Sequence, residues 1–224
     1  MENKFIMKTI TVWDLPLRIF HWLLVALVVA ATISAQLGGN ALDWHVRFGL
    51  ATLALLIFRV LWGFIGGTHA KFSNFIRGPR TIFAYIKGTA EKPLGHNPVG
   101  ALSVIAILLV LFSQAITGLF SNDDILTEGP LYALVSKDTS DYLTYIHTFN
   151  QYIMYGLLAL HVGAIFYYRL FKKEDLVRPM VTGRKQVHAS IAEIYKGNVG
   201  SLRSAVVIIS VSSALVWFIA TYWK

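Results

Sequence analysis

Five apolar stretches punctuate the chain, at about residues 17–37, 45–65, 99–120, 143–168 and 204–222. Each approaches the roughly 20 residues that a helix needs to cross a bilayer's hydrocarbon core. Between them lie a short polar loop (38–44), a long basic segment (66–98), an acidic loop (121–142) and a second long basic segment (169–203). The first stretch has the basic front and small residues (Ala31 to Ala35) of a signal peptide, but its apolar run is long and contains His21, so it is read as a retained span. Within 71–92, Phe72, Phe75, Ile76, Ile82, Phe83 and Ile86 recur at helical spacing among Lys71, Arg77, Arg80 and Lys87. That pattern predicts a surface helix interrupted near Gly78-Pro79. No internal repeat is visible, and the pattern predicts an all-α membrane protein forming a single membrane domain over residues 1–224.

Composition agrees. Of 224 residues 55% are apolar and 14% charged, whereas a soluble domain carries about 25% charge. Cysteine is absent, which excludes disulfides, thioether-attached haem and iron–sulfur ligation by this chain. A redox centre would need other ligands, histidine first among them. The net charge of +8 is unevenly distributed. When the loops are assigned to alternate sides, seventeen of the twenty Lys and Arg fall with the N-terminus and the two long basic segments, leaving Arg47, Lys137 and Lys224 opposite. Six acids on each side give +11 and −3, which sum to +8. The positive-inside rule then places the N-terminus in the cytoplasm and the C-terminus outside. The basic charge is a topology signal and a lipid-headgroup contact, with no nucleic acid required.

Four of seven histidines, His21, His45, His147 and His161, sit inside or at the mouth of spans, where an ionisable ring is costly. His147 and His161 are fourteen residues apart on span four, a rise of about 21 Å and within about 40° of a whole number of turns. They share a face at two depths. His21 opens span one from the cytoplasmic side and His45 opens span two from the outer side. Two level pairs follow, His21 with His161 and His45 with His147, and helix tilt has to absorb a mismatch in the first. Two facing histidines supply both axial nitrogens of a haem iron, and a bundle interior is a usual cofactor site. A single zinc site needs three or four ligands together, which this spacing forbids for His147 and His161. A histidine proton relay stays open as an alternative, although it does not explain two pairs at two depths.

Gly49 lies one turn beyond His45, and Gly118, Gly156 and Gly163 thin spans three and four, where a planar guest needs close approach; helix packing is the alternative for each. Arg59 shares the His45 face fourteen residues on, and either it or Arg18 suits a haem carboxylate, against snorkelling to headgroups. His69, His96 and His188 fall in connections and need no ligand role. The acids Asp123, Asp124, Glu128, Asp138 and Asp141 read as a solvated loop, with steering of a basic partner as the alternative. Span five carries no histidine and reads as a packing helix with a small face (Ser204, Ala205, Ser212, Ser213).

The chain resembles the bacterial cytochrome b561 and nickel–iron hydrogenase b-type cytochrome group. The likeness rests on Val12-Trp13-Asp14-Leu15-Pro16-Leu17-Arg18-Ile19-Phe20-His21-Trp22, on Trp44-His45-Val46-Arg47-Phe48-Gly49, and on Arg59-Val60-Leu61-Trp62-Gly63-Phe64. It continues through Gly95-His96-Asn97-Pro98-Val99-Gly100-Ala101, the Asp123-Asp124 to Gly129-Pro130 loop, His147, His161 and Pro179-Met180-Val181-Thr182-Gly183, covering about residues 10–185. It implies a four-helix transmembrane haem-binding bundle, here with a fifth C-terminal helix, and two non-covalent b haems held by histidines of the first, second and fourth helices. It also implies electron transfer between a quinone and a partner redox protein, a hydrogenase subunit or a periplasmic multihaem c-type cytochrome, at the bacterial inner membrane. The rival readings are a stand-alone oxidoreductase passing electrons from a small donor to quinone, and a haem-free transporter or assembly factor.

Overall fold

The computed structural model describes residues 6–90 and 93–222; Lys4, Lys92 and Lys224 of the charge balance lie outside the described residues. In chain order, strand β1 (Met7–Thr11) precedes α1 (Leu15–Leu37) and α2 (Ala41–Ile65). The short α3 (Phe72–Phe75) and α4 (Pro79–Ile86) lead to α5 (Pro98–Gly118) and α6 (Lys137–Leu170). Then α7 (Val177–Thr182), β2 (Arg184–His188) and α8 (Ala189–Ile194) lead to α9 (Leu202–Tyr222). Five of these helices, α1, α2, α5, α6 and α9, are long and apolar enough to cross a membrane. The protein is a multi-pass, all-α membrane protein. Large apolar side chains such as Leu160, Phe166, Val206 and Trp217 are exposed on its helices, an arrangement that lipid tolerates and water does not.

The helices follow the apolar stretches, with two shifts at their ends. α2 starts at Ala41, a turn before the expected 45, with Asp43 complementing the helix dipole in its first turn. α6 starts at Lys137, well before the expected 143. Its opening turns are polar and carry no hydropathy signal, yet Ser136 Oγ accepts the Thr139 N–H at 3.3 Å, as an N-cap does. Ser140, fully buried on the next turn, donates to the Phe120 carbonyl at 2.7 Å. The interruption expected near Gly78-Pro79 separates α3 from α4, with Pro79 opening α4. One feature lies outside the all-helical expectation. β1 and β2 pair as a two-stranded antiparallel ribbon, Met7 opposite His188 and Thr11 opposite Arg184.

Two compact units divide the described chain, and each long helix contributes a stretch to both. The first comprises the described parts of Met1–Ile19, Leu61–Val104 and Leu160–Ala205. Its centre is Asp14, only 4% exposed. Asp14 caps α1 by accepting the Leu17 N–H at 2.9 Å, and it also accepts from Trp62 Nε1 at 3.2 Å and from the Gly67 N–H at 3.1 Å. Trp62 is fully buried. At the end of α7, Gly183 adopts φ +79°, a left-handed C-cap. Its carbonyl accepts the Val12 and Trp13 N–H groups at 2.9 and 3.2 Å. A β-carbon there would lie 2.7 Å from the Trp13 carbonyl oxygen. The Trp-Asp-Leu-Pro, Leu-Trp-Gly and Met-Val-Thr-Gly segments are thus mutually bonded parts of one framework.

The second unit comprises Phe20–Val60, Ile105–Ala159 and the described part of Val206–Lys224. Leu53 and Ala54 of α2, Leu119 beyond α5 and Val216 of α9 form its buried cluster, supported by Phe112, Leu131 and Ile219. The fifth span is therefore a structural member of this unit, and its Ser212 is fully buried. The loop between α5 and α6 is tightly tied. Asp123 accepts the N–H groups of Ile125, Leu126 and Thr127 at 3.0, 2.9 and 2.8 Å. These backbone donors, Ile125 first, pull the carboxyl down to about 2. A depressed carboxylate favours the ordered loop above the usual carboxylate range and stops doing so as pH falls through its lowered value. The amide resonances of 125–127 in detergent-solubilised protein are expected to shift together with a midpoint near 2, whereas a midpoint near 4 would show the carboxylate to be unanchored.

Candidate cofactor site

A cavity of about 280 Å³ opens within the second unit. Its walls come from α1 (Val28, Ala31, Thr32, Ala35), α2 (His45, Gly49), α5 (Leu111, Gln114, Gly118) and α6 (His147, Gln151, Met154). The lining is mostly small or apolar, and His45 and His147 are the two imidazoles in it. Their ring centroids stand 5.9 Å apart with planes at 88°. The expected outer pair is thus brought together, and Gly49 lines the cavity beside it with nothing within 4 Å of the position its β-carbon would take.

The hydrogen bonds of both rings decide what they offer. His45 Nδ1 lies 2.9 Å from the Ala31 carbonyl oxygen, and His147 Nδ1 lies 2.9 Å from the Gln114 carbonyl oxygen. A carbonyl only accepts, so each Nδ1 carries the proton and each Nε2 keeps its lone pair. A metal-binding histidine is oriented in the same way, by a bond from its other ring N–H to a backbone carbonyl. Gly118 lets His147 come close to α5, since a β-carbon on Gly118 would lie 2.9 Å from His147 Cε1. Gly156 and Gly163, by contrast, face open space.

Two amides that hydropathy does not single out complete the site. Gln114 Nε2 lies 3.1 Å from His147 Nε2, and Gln114 Oε1 accepts from Asn150 Nδ2 at 2.7 Å. Asn150 Nδ2 also donates to the Val110 carbonyl at 3.0 Å. The signal available in sequence was a polar amide in each of two spans, Asn150 three residues after His147 and Gln114 four before Gly118, so that Asn150 shares a helix face with His147 and Gln114 with Gly118.

The other expected residues lie elsewhere. His21, on α1 within the second unit, meets Trp22 edge-on with centroids 5.0 Å apart. His161, on α6, belongs to the first unit. Arg59 is 1% exposed, so its guanidinium does not snorkel to headgroups. Arg18, in the first unit, donates from Nη1 to the Val181 carbonyl. The connecting histidines have structural surroundings. His96 packs between Trp13 and Phe75, with centroids 4.6 and 4.7 Å away. His69 stacks on Tyr195 and donates from Nε2 to its hydroxyl at 2.9 Å, while that hydroxyl donates to the Thr11 carbonyl at 3.1 Å. Burial, and then the nearby Lys185, lower the His69 pKa and favour the neutral ring. His96→Ala is expected to leave haem content unchanged while lowering the unfolding midpoint, because each ring contact contributes about 1 kcal/mol; haem loss in that variant would give the loop a ligand role.

A family model described as prokaryotic cytochrome b561 matches residues 12–183. The chain belongs to that family. Among relatives of this cytochrome b561, a protein of Bradyrhizobium diazoefficiens named "Probable Ni/Fe-hydrogenase B-type cytochrome subunit" is 21% identical over 219 residues, covering 80% of this chain and 86% of that one. One of the same name from Rhizobium leguminosarum bv. viciae is 22% identical over 222 residues, covering 80% and 89%. Another from Azotobacter vinelandii is 24% identical over 127 residues, covering 44% and 53%. Cytochrome b561 proteins carry haem b and transfer electrons in the membrane, and this chain is such a protein. The donor set fits the group, as two neutral imidazoles present lone pairs at a mostly apolar cavity. Haem b supplies reversible one-electron transfer at its iron, and the protein supplies ligands, dielectric and nearby dipoles. A metal held by protein alone needs three or four ligands; among the described residues no group of three His, Cys, Asp or Glu is gathered.

Proposed function

We propose that this cytochrome b561 holds two haems b, each between two histidines, and carries electrons between a quinone and a partner redox protein at the bacterial inner membrane. The observation that carries the reading is the His45–His147 pair, 5.9 Å apart, with both Nδ1 atoms on backbone carbonyls. These two residues are the ligands of the outer haem. His21 and His161 are the ligands of a second haem nearer the cytoplasm, a pairing that follows from antiparallel topology and the shared face of His147 and His161. Two iron centres at two depths divide one long electron jump into shorter ones. The charge asymmetry supports a cytoplasmic N-terminus and a periplasmic C-terminus. Arg59 is a buried guanidinium on the His45 face and suits a haem carboxylate better than a lysine would. Arg18 is the second candidate for that role.

Two of the relatives cover most of this chain and carry Ni/Fe-hydrogenase in their names, so a hydrogenase subunit is the first partner to test and a periplasmic c-type cytochrome the second. The decisive measurement is the spectrum of purified protein reduced with dithionite, with haem quantified per chain. Two haems per chain and a sharp b-type α band are expected. A protein without that band refutes the reading, and a single haem refutes the second site. Co-purification under native conditions then identifies the partner.

A further inference from the structure

The hydrogen bonds beside His147 form a directed chain with a backbone carbonyl at each end. The Val110 carbonyl can only accept, so Asn150 must present its NH₂ group there, at 3.0 Å. The same NH₂ group donates to Gln114 Oε1 at 2.7 Å, which fixes the Gln114 amide with its own NH₂ toward His147 Nε2 at 3.1 Å. His147 Nε2 is therefore an acceptor, and its Nδ1 proton goes to the Gln114 carbonyl at 2.9 Å. Every donor and acceptor along the chain follows from its two ends. Asn150 is 6% exposed, and a buried amide that lost this orientation would leave polar atoms unsatisfied.

We infer that Gln114 and Asn150 are positioning residues for the outer haem. Asn150 sets which end of the Gln114 amide faces His147, and Gln114 directs a donor N–H at the His147 Nε2 lone pair, the position an iron would take. The inference rests on the proposed His45–His147 site and deepens it, because it concerns how that site's potential is set. An N–H dipole pointing its positive end at an iron ligand stabilises the form carrying the extra electron. The donor thus raises the potential of the outer haem above that of the same ligands in an apolar wall. Without Asn150 the amide is free to turn and present its oxygen instead.

The test uses full-length Gln114→Met and Asn150→Leu, which keep side-chain volume and remove the hydrogen bonds, with haem content and redox titration of each. Expected is a downward shift, or loss, of the outer haem only, with the second haem retained at its parent potential as an internal marker of folding. The double variant is expected to shift no further than Gln114→Met, since Asn150 acts through Gln114. Two haems at parent potentials in both variants would overturn the inference. Joint loss of both haems would overturn it too, by showing a role in holding the helices alone. A shift in Gln114→Met without one in Asn150→Leu removes the link to Asn150. A parent protein lacking the outer haem refutes the proposed site and this inference with it.

Discussion

His147→Ala protein is expected to carry one haem, against the two proposed for its parent. Removing the His147 imidazole would take away one of the two nitrogens proposed to hold the haem and leave His45 facing an enlarged cavity, a loss that packing cannot replace. His45→Ala should lose the same haem, and the double variant should lose nothing further if the two rings serve one iron as proposed. His161→Ala and His21→Ala should lose the other haem. The losses can be read from the α band and from haem quantified per chain. Two intact haems in His147→Ala would refute the outer pairing, and loss of the outer haem in His161→Ala would refute the assignment by depth. Size alone is not the cause if His147→Leu behaves like His147→Ala.

Asp14→Ala is expected to lower stability more than any other single change in the first unit. The carboxylate accepts from the Leu17 N–H, the Trp62 indole and the Gly67 N–H while 4% exposed. Deleting it orphans three buried donors, each costing roughly 1–3 kcal/mol, one of them the Leu17 N–H that it caps. Allowing for partial relaxation, a loss of about 3 kcal/mol or more follows. Thermal unfolding in detergent measures it. Gly67→Ala should act in the same direction, since its β-carbon would lie 2.6 Å from Asp14 Oδ2. A melting temperature within error of the parent for Asp14→Ala would show that the framework does not depend on this carboxylate.

The spans were legible because the bilayer demands long apolar runs, and that demand is written residue by residue. The His45–His147 pair was legible for a related reason, since an imidazole in a span is too costly to be incidental and antiparallel helices bring only certain depths level. What escaped was polar or local. The start of α6 at Lys137 is polar and set by Ser136, Asp138 and Ser140, which a hydropathy scan cannot weigh. Asn150 and Gln114 are single amides whose meaning lies in the direction of their hydrogen bonds. Asp14 stood inside a recognised motif, yet its three donors come from positions as distant as Trp62 and Gly67. The ribbon escaped because neither Met7–Thr11 nor Arg184–His188 has strand character beyond a few β-branched residues, and each becomes a strand only by meeting the other.

That ribbon bears on how the protein is made. Met7 pairs with His188, so β1 waits with its backbone donors and acceptors open to water while four spans are synthesised and inserted. Closing so long a loop costs little more than closing one half its length, because the entropy grows only logarithmically with length, but it cannot happen before the ribosome has passed residue 188. Ribbon closure therefore marks a chain whose first four spans are complete. A chain stalled earlier displays the unpaired edge of β1, of the kind that aggregates.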